Sequence, residues 1–205
     1  MKNNSYLNSL SITNERIIEI FHNIPRKIFI PIAYRSLADI DKPLPIGCGQ
    51  TISQPSLVAF MTEKLEVKKE HNILEIGTGT GFQTAILASL CKKIYTIEII
   101  DRLIKKAKNN ITTLNIKNVH FVQGDGHFGY STAAPYHRIM VTAAAKQMPK
   151  ILLDQLLPGG KMIIPIGESG EDQLLQIITK SESGKIIIEQ SLLVRFVPMV
   201  NSNEI

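Results

Sequence analysis

The chain has 205 residues, of which 44% are hydrophobic and 20% charged, and its formal net charge is +5. This ordinary balance fits one globular domain that is large enough to bury a substantial core. No apolar run is long enough to span a bilayer, and residues 1–6 lack the hydrophobic region of a secretory signal. From these features we expect neither a membrane-spanning nor a secreted protein, and we take the cytoplasm as the default location.

The cysteines and the charges narrow the kinds of site further. Cys48 and Cys91 are far apart and lack neighbouring histidines at ligand spacing, so we expect free thiols without a disulfide or a metal. Lysines are spread along the whole chain, which favours a solvated basic surface over a nucleic-acid-binding stripe. We therefore expect no metal, no nucleic-acid partner and no membrane partner, and we take a monomer as the expected assembly.

The first part of the chain predicts two helices separated by an irregular segment. Apolar residues at helical spacing predict a helix over residues 13–24, which Pro25 ends. Residues 25–50 combine several prolines and glycines with apolar residues, which predicts an ordered loop region packed on the rest of the molecule. Pro55 suits the first turn of a second helix that should reach about Leu65.

From residue 73 onward, segments typical of strands and helices alternate. We predict helices at 82–91, 101–114 and 147–156, and strands at 73–77, 94–98, 118–122 and 137–142. This alternation predicts an α/β fold with a mostly parallel sheet and helices on both faces. A turn at 157–160 precedes antiparallel strands at 161–166, 173–179 and 185–197, with a hairpin at Ser183-Gly184. We expect one domain over residues 1–205, in which an N-terminal helical and loop cap (1–70) covers an α/β body (71–205).

A glycine loop after the first body strand is the most informative segment. Gly77, Gly79 and Gly81 form G-x-G-x-G, whereas the dinucleotide fingerprint needs its third glycine one residue later, where this chain has Phe82. Glycines let the backbone approach a ligand closely. Glu75 precedes the loop, where a carboxylate would repel a pyrophosphate but attract a cationic ligand. The loop therefore favours S-adenosylmethionine over NAD, and the alternative is a strand–helix turn that binds nothing.

Two more acidic residues follow predicted strands. Glu98 ends the second body strand about twenty positions past the loop, where a carboxylate commonly accepts hydrogen bonds from ribose hydroxyls. Asp125, between Gly124 and Gly126, follows the third strand and can reach an adenine amino group from there. Each has a simpler interpretation, which is an exposed strand-end carboxylate for Glu98 and an Asp-Gly turn for Asp125.

The polar segment from Gly49 to Pro55 lies between apolar neighbours. Its hydroxyl groups, on Thr51 and Ser53, can donate hydrogen bonds, and the following helix start offers backbone amides. Together these groups suit a carboxylate. The alternative is that Ser53 only helps to start the helix, and the residues alone leave the two interpretations equal.

These segments together resemble the protein-L-isoaspartate O-methyltransferase family, whose members are S-adenosylmethionine-dependent repair enzymes. The resemblance extends from about Pro25 to Val200, and its most specific block is Pro43-Leu-Pro-Ile-Gly-Cys-Gly-Gln-Thr-Ile-Ser-Gln-Pro55, which ordinary S-adenosylmethionine methyltransferases lack. The cofactor-loop block is Leu74-Glu-Ile-Gly-Thr-Gly-Thr-Gly-Phe-Gln-Thr-Ala85. Shorter similar blocks lie at 124–126, 141–144, 158–160, 165–167 and 194–198.

The resemblance implies a class I, Rossmann-like methyltransferase fold. It also implies methyl transfer from S-adenosylmethionine to the free α-carboxylate of L-isoaspartyl, and also D-aspartyl, residues in damaged proteins, with S-adenosylhomocysteine as a product. It assigns Ser53 as the active-site serine, with Thr51, Ile52 and Gln54 on the substrate side. The cofactor site that it implies consists of Glu75, Gly77, Thr78, Gly79, Thr80, Gly81, Gln83, Glu98, Asp125, Gly126 and Thr142.

Two positions depart from the family pattern. Tyr136-His137 is followed by Arg138 where the family usually has an aromatic residue and then Asp, so no role of that acidic position transfers to this chain. Cys48 occupies a position that the family leaves without cysteine, and we attach no function to it.

Three other functions remain as alternatives. The first is an S-adenosylmethionine methyltransferase for another small molecule or for RNA, which the basic charge favours and the 43–55 block opposes. The second is a nicotinamide-dependent oxidoreductase, which the glycine spacing and Glu75 oppose. The third is a module that binds the cofactor without turnover, for which the departure at His137 is the only support.

Overall fold

The structure is a computed structural model, and it describes residues 12–201. Residues 1–6, on which the expected absence of a secretory signal depends, lie outside the described part. Helix α1 (Glu15–Asn23) begins after Asn14, whose side chain accepts hydrogen bonds from the amides of Arg16 and Ile17. It confirms the helix predicted over 13–24, with slightly shorter ends. Two short 3-10 segments follow, Arg26–Phe29 and Ile32–Leu37.

A small antiparallel hairpin begins within the segment 25–50, which we predicted to be irregular, and ends two residues beyond it. Strand β1 (Leu44–Gly47) pairs with strand β2 (Gln50–Ile52). The prediction was wrong for this part because strands of four and three residues are too short to show a period. The prolines of this segment, including Pro45, also led us to expect a loop. Pro45 fits in β1 because each strand of a two-stranded hairpin has an open edge, where no amide donor is needed.

Seven strands form the main sheet, and most of the predicted elements are confirmed. Helix α2 (Pro55–Leu65) begins and ends as predicted. The elements that follow are β3 (Asn72–Ile76), α3 (Phe82–Ala88), β4 (Lys93–Glu98), α4 (Asp101–Thr113), β5 (Val119–Gln123), β6 (Tyr136–Val141), α5 (Lys150–Asp154), β7 (Leu156–Ile166), β8 (Gln173–Lys180) and β9 (Ile186–Val194).

The strand order places a binding cleft at the centre of the sheet. The order is β5-β4-β3-β6-β7-β8-β9, and β3 is parallel to both β4 and β6. Strands β8 and β9 are antiparallel to their neighbours. The chain leaves β3 toward β4 and β5 and then returns to β6 on the other side, so the order reverses beside β3. Ligands of open α/β sheets bind at the carboxyl ends of the strands at such a point.

Apolar layers cover both faces of the sheet. On one face, Ile73 and Met140 pack with buried residues of α2 and α3. On the other face, Leu74 and Ile139 pack with Leu152 of α5. The alternation follows from the two-residue period of a strand, which sends successive side chains to opposite faces. The mostly parallel sheet with helices on both faces and antiparallel C-terminal strands confirms the Rossmann-like class I fold.

Several predicted boundaries need correction. Helix α3 ends at residue 88, before the predicted 91, and α5 is shorter than the predicted 147–156 because Pro149 precedes its first residue and β7 begins at Leu156. Strand β7 therefore includes residues 157–160, which we predicted to be a separate turn. Strand β9 ends at Val194, so the prediction of a strand to residue 197 was wrong.

Residues 195–200, which we call the C-terminal strap, leave the sheet and cross its carboxyl edge. The amide of Ala144 donates a hydrogen bond to the carbonyl of Val197 (2.8 Å), and the amide of Met199 donates to the carbonyl of Ala144 (2.8 Å). The strap is thereby tied to the loop after β6, directly beside the cleft. Among the helices of residues 12–201, none combines the length and the apolar character that crossing a membrane requires.

Candidate active site

A cavity lies where the strand order reverses, which is where open α/β sheets bind their ligands. Its lining comes from the β1–β2 hairpin, the glycine loop, the ends of β4, β5 and β6, and the C-terminal strap, and includes Gly77, Gly79, Glu98, Gly126 and Thr142. The structure therefore brings together predicted cofactor residues from the ends of four different strands, β3, β4, β5 and β6. We call this cavity the cofactor cavity.

Two glycines allow the backbone to come close to neighbouring residues here. Gly77 has φ +91°, and a Cβ at this position would collide with Oγ1 of Thr142. A Cβ on Gly126 would collide with Cγ2 of Ile76. The Thr142 hydroxyl donates a hydrogen bond to the carbonyl of Gly77 (2.7 Å), which joins the end of β6 to the glycine loop. Glycine is the residue that both positions require.

Glu98 fixes the shape of the glycine loop. Its Oε2 accepts a hydrogen bond from the amide of Gly79 (2.7 Å), and its Oε1 accepts one from the amide of Ile100 (3.0 Å). Burial raises the pKa of this carboxyl, and the backbone amides act in the opposite direction. The residue lines the cofactor cavity. Each carboxylate oxygen can accept more than one hydrogen bond, so the predicted contact with ribose hydroxyls stays a prediction that the geometry permits.

Glu75 is fully buried and does not line the cavity. Its Oε2 accepts hydrogen bonds from the hydroxyls of Thr84 and Thr96, both at 2.6 Å, whereas Oε1 has no partner among the described residues. The Thr96 hydroxyl also lies 2.6 Å from that of Thr78 in the loop. Burial raises the pKa of Glu75 to about 7, and the threonine hydrogen bonds counteract part of that rise. Glu75 thus reaches the loop through two threonines, and its predicted effect on a cationic ligand would act at a distance.

A second cavity continues from the cofactor cavity toward helix α2. Both cavities share Gly77, Gly79 and Thr142 in their linings. Thr80 and Gln83 line the second one, and buried Oγ1 of Thr80 and Oε1 of Gln83 have no hydrogen-bond partner among the described residues. Buried polar atoms are normally satisfied, so such atoms beside a cavity indicate where a ligand or water would bind.

Asp125 forms the local turn that we gave as its simpler interpretation. Its Oδ1 accepts a hydrogen bond from the amide of His127 (2.9 Å) and lies 2.8 Å from Nδ1 of the same residue. The glycines on either side of Asp125 line the cofactor cavity, whereas Asp125 itself is not part of that lining. A contact with an adenine amino group stays a prediction.

The substrate-side residues lie on the other side of the same cleft. Thr51 lines the cofactor cavity, the second cavity and a third that opens toward Val194 and the C-terminal strap. Ser53 lines the second and third cavities, Ile52 the second and Gln54 the third. The hydroxyl of Ser53 has no hydrogen-bond partner among the described residues. The structure therefore places the predicted substrate residues and the glycine loop around one connected space.

The alternative role of Ser53, helping to start α2, is not what the structure shows. Gln54 is the residue before the first helical turn, and its side chain makes no capping hydrogen bond. The amide of Ser56 is capped instead by Oδ1 of Asp41 (2.9 Å), a residue fifteen positions away. Because the helix start is satisfied by Asp41, the Ser53 hydroxyl remains available for a ligand.

Sequence reasoning missed two charged residues that hold this side of the cleft. One is Asp41, and the other is Arg26, whose buried guanidinium donates a hydrogen bond to the carbonyl of Ser53 (3.1 Å). Neither belongs to a motif or lies near Ser53 in sequence. A buried arginine next to a proline carries no local signal of its role, so only the tertiary structure reveals it.

The departure at position 137 lies at the opposite edge of the sheet. His137 is the second residue of β6, and its ring stacks on that of His71 with the ring centres 5.0 Å apart. Its Nδ1 accepts a hydrogen bond from the amide of Asn72 (3.1 Å), a role that a carboxylate could also fill. Because position 137 lies away from the cleft, its departure from the family pattern gives no reason to doubt turnover there.

In the described residues no group of three or more metal-ligating side chains comes together.

Comparison with known proteins agrees with this geometry. A sequence profile of the protein-L-isoaspartate(D-aspartate) O-methyltransferase family matches residues 4–204. This chain belongs to that family. Protein-L-isoaspartate O-methyltransferase 2 of Nitrosococcus oceani is 44% identical over 192 residues, which are 94% of this chain and 87% of that protein. The protein-L-isoaspartate O-methyltransferase of Anaeromyxobacter dehalogenans strain 2CP-C is 43% identical over 197 residues, 96% of this chain and 94% of that protein.

A solved structure is similar over almost the whole chain. It is that of a Plasmodium falciparum protein described as a protein-L-isoaspartate O-methyltransferase (beta-aspartate methyltransferase), in complex with S-adenosyl-L-homocysteine. The TM-score is 0.84 at 25% identity, and the match covers 98% of this chain and 100% of that one. The chain is thus an S-adenosylmethionine-dependent enzyme of the family that methylates isoaspartyl residues in protein repair.

The residues of the cofactor cavity fit S-adenosylmethionine. Gly77 and Gly79 line it without side chains, and Thr80 and Gln83 supply unsatisfied polar atoms in the second cavity that continues from it. The carboxylate of Glu98 contacts the loop and favours a ligand that carries a sulfonium and an ammonium group, whereas Glu75, whose pKa burial raises to about 7, would act only at a distance. When bound, S-adenosylmethionine supplies an electrophilic methyl group.

Proposed function

We propose that the connected cavities divide the reaction between two sides. The cofactor side, formed by the glycine loop, Glu98, the turn at 124–126 and Thr142, holds S-adenosylmethionine. The substrate side, formed by Thr51, Ile52, Ser53 and Gln54, holds the isoaspartyl carboxylate, with Ser53 as the active-site residue. The observation that carries this assignment is that Thr51 and Thr142 line all three cavities. A cofactor bound on one side and a substrate bound on the other would therefore be in contact.

The chemistry needs positioning rather than proton transfer. An α-carboxylate has a pKa of about 3.3–3.7, so it is ionised at neutral pH and no base has to activate it. Its oxygen forms a bond to the methyl carbon as the carbon–sulfur bond breaks, and the electron pair of that bond remains on sulfur. The products are a neutral methyl ester and a neutral thioether. Because charge is lost along this path, water stabilises the reactants more than the transition state, and a cleft that excludes water favours the reaction.

The hydroxyls of Thr51 and Ser53 suit the task of holding the attacking oxygen. A hydroxyl donates one hydrogen bond to a carboxylate oxygen and leaves the other oxygen lone pairs free. Ser53 is half-buried, and its hydroxyl is not engaged by the protein. The position of the backbone of residues 51–54 then determines how well oxygen, methyl carbon and sulfur are aligned. A displacement of the attacking oxygen on the order of 1 Å can lower the rate about a hundred-fold.

The decisive experiment uses two peptides that differ only in one linkage. One contains an isoaspartyl residue and the other contains aspartyl at the same position, and each is incubated with the enzyme and methyl-labelled S-adenosylmethionine. We expect label on the isoaspartyl peptide, little on its twin, and release of the label as methanol in mild base because the product is an ester. Equal labelling of both peptides, or label that survives base, would contradict the assignment and favour another methyl acceptor.

Two controls belong to the same assay. Activity should survive treatment with a chelator, because a ready-made carboxylate nucleophile needs no Lewis acid. Restoration of a lost activity by one divalent ion would contradict a metal-free site. Addition of an unrelated RNA at equal concentration should produce no labelled RNA.

We further propose that the enzyme acts in the cytoplasm as a monomer of one domain, with residues 1–70 as a cap on residues 71–205 and without a nucleic-acid partner. Both cysteines are free thiols, as is typical of reducing compartments. A shared apolar cluster joins residues of α1 and of the β1–β2 hairpin to residues of α3 and α4, which supports one cooperative unit. Sedimentation at several concentrations and one calorimetric transition would test the assembly and the domain.

A further inference from the structure

A buried arginine gathers four backbone carbonyls beside the active-site segment. Arg26 is only 5% exposed. Its Nη1 donates hydrogen bonds to the carbonyls of Ala38 (3.1 Å) and Ile40 (3.2 Å), and its Nη2 donates to those of Lys42 (2.8 Å) and Ser53 (3.1 Å). Three of these acceptors belong to the loop 38–42, and the fourth belongs to the residue that we assign to the substrate carboxylate.

The same loop carries the second contact to this segment. Asp41 lies between the two carbonyls of Ile40 and Lys42 that Arg26 binds, and its Oδ1 accepts a hydrogen bond from the amide of Ser56 (2.9 Å). Arg26 therefore holds the segment at the carbonyl of Ser53, and Asp41 holds it at the amide of Ser56. We call this arrangement the Arg26 clamp. It binds the backbone on both sides of Gln54-Pro55 through hydrogen bonds to the Ser53 carbonyl and from the Ser56 amide, and the Ser53 hydroxyl takes no part.

The chemistry of arginine explains why this residue type is needed. A guanidinium is planar, stays charged and presents five N–H donors in a fixed fork, so its two terminal nitrogens can serve carbonyls on different segments at once. A lysine ammonium carries the same charge but concentrates three donors on one atom. Three donors on one atom cannot make all four of these hydrogen bonds, two of which come from each terminal nitrogen of Arg26.

We propose that Arg26 is a positioning residue for Ser53 in the methyl transfer. It touches neither the cofactor cavity nor the third cavity, and it acts through the backbone of residues 53–56. The proposal rests on the proposed role of Ser53. If the clamp sets the place of the Ser53 hydroxyl, loosening the clamp lowers the rate of methyl transfer and leaves the binding of S-adenosylhomocysteine unchanged.

A double-mutant cycle tests the clamp. Arg26→Lys, Ser53→Ala and the double variant are compared by kcat on the isoaspartyl peptide, by the Kd for S-adenosylhomocysteine and by Tm. We expect Arg26→Lys to lower kcat on the order of ten-fold in the wild-type background, because a small displacement of the reacting group is costly. In the Ser53→Ala background the same change should lower kcat by less than about two-fold, since the group that Arg26 positions is already gone.

The outcomes separate the two proposals. Equal losses in both backgrounds would mean that Arg26 serves only general stability, and an unchanged kcat in folded Arg26→Lys would also overturn the positioning role. A normal kcat in Ser53→Ala would overturn the role of Ser53 and the clamp proposal together. The control Lys27→Met removes a neighbouring, exposed cation and should leave all three quantities unchanged. Should Arg26→Lys not fold, Asp41→Ala enters the same cycle, because it releases the other end of the clamp.

Discussion

The two sides of the cleft are held in different ways. On the cofactor side, the groups that line the cavity bond to one another, as Glu98 does with the amide of Gly79 and Thr142 with the carbonyl of Gly77. On the substrate side, Thr51 is exposed and the Ser53 hydroxyl is without a partner among the described residues. Other groups hold this segment, namely the carbonyl of Ser53, the amide of Ser56 and the buried side chain of Ile52. On the cofactor side, the groups that would contact the ligand also hold the loop in place. On the substrate side, the hydroxyls that would contact the substrate have no such structural role among the described residues.

This difference has a consequence for mutants. Removing a functional group on the cofactor side also removes part of the loop's support, so affinity and stability should fall together. Removing a hydroxyl on the substrate side removes no hydrogen bond within the protein, so the rate should fall while affinity for the cofactor and stability stay unchanged. The following substitutions test that contrast.

Ser53→Ala should have the largest effect on activity. We expect kcat to fall on the order of a hundred-fold, because the attacking carboxylate is no longer held in line with the methyl group. The Kd for S-adenosylhomocysteine and the Tm should stay within error, since the hydroxyl makes no contact inside the protein. Steady-state kinetics, calorimetric titration and thermal unfolding on one preparation would measure all three. A less stable variant with a normal rate would reverse the contrast between the two sides.

Glu98→Ala should weaken cofactor binding and also loosen the loop. The loss of a charged hydrogen-bond partner typically costs about 1.5–3 kcal/mol, which is on the order of ten- to a hundred-fold in affinity. The Tm should fall as well, because the amides of Gly79 and Ile100 lose their acceptor. Titration with S-adenosylmethionine measures the first effect, and kcat at saturating cofactor should change less. Unchanged affinity in a folded variant would remove Glu98 from the cofactor site.

Gly126→Ala should lower stability on the cofactor side, and Gly124→Ala provides the matched control. A Cβ at Gly126 would collide with Ile76, whereas one at Gly124 meets no atom within 4 Å. Overpacking of this kind costs about 1–3 kcal/mol. For a chain of this length, each kcal/mol lowers the Tm by about 2–4 °C. Thermal unfolding of both variants without cofactor measures this difference. Equal Tm values would show that the turn at 124–126 moves away from Ile76 at little cost in stability.

Residues that are close in sequence made the cofactor side predictable. The strand, the three glycines and the helix at 73–88 form one continuous signal, and Glu98 follows at a spacing that strand–helix–strand units repeat. The register of a parallel sheet then brings these ends together without further information. The wrong boundaries, at α5 and at the end of β9, lie where Pro149 and the C-terminal strap change the path of the chain.

The substrate side could not be derived in the same way. Residues 51–54 were identified through the family resemblance, since the polar segment alone fitted a helix start equally well. What decides between the two is the capping of Ser56 by Asp41, a contact between residues fifteen positions apart. Arg26 is farther still from Ser53, and its four acceptors are backbone carbonyls, which every residue possesses. Contacts of that kind leave no pattern in a sequence.

Glu75 provides the most subtle test of the cofactor side, because its effect appears as a slope of stability against pH. Burial raises its pKa in the folded chain to about 7 from an ordinary value of 4.5, so between these values the folded chain retains a proton that the unfolded chain has lost. This carboxyl therefore stabilises the fold fully below pH 4.5, and its contribution is lost as the pH rises to 7. The slope of its contribution is at most about 1.4 kcal/mol per pH unit.

Glu75→Gln should abolish that slope, because the amide does not titrate. The test is urea unfolding at intervals between pH 4.5 and 8 for both proteins, followed by subtraction of the two curves. His71, whose pKa burial lowers to about 4, acts in the opposite direction over pH 4–6.5 but is present in both proteins and cancels in the difference. The amide also changes the hydrogen bonds of the buried site, which adds an offset that is independent of pH, so the slope of the difference curve is the quantity that tests the prediction. A difference that does not change with pH would show that Glu75 stays ionised, and the carboxylate would then act on the glycine loop as a permanent charge.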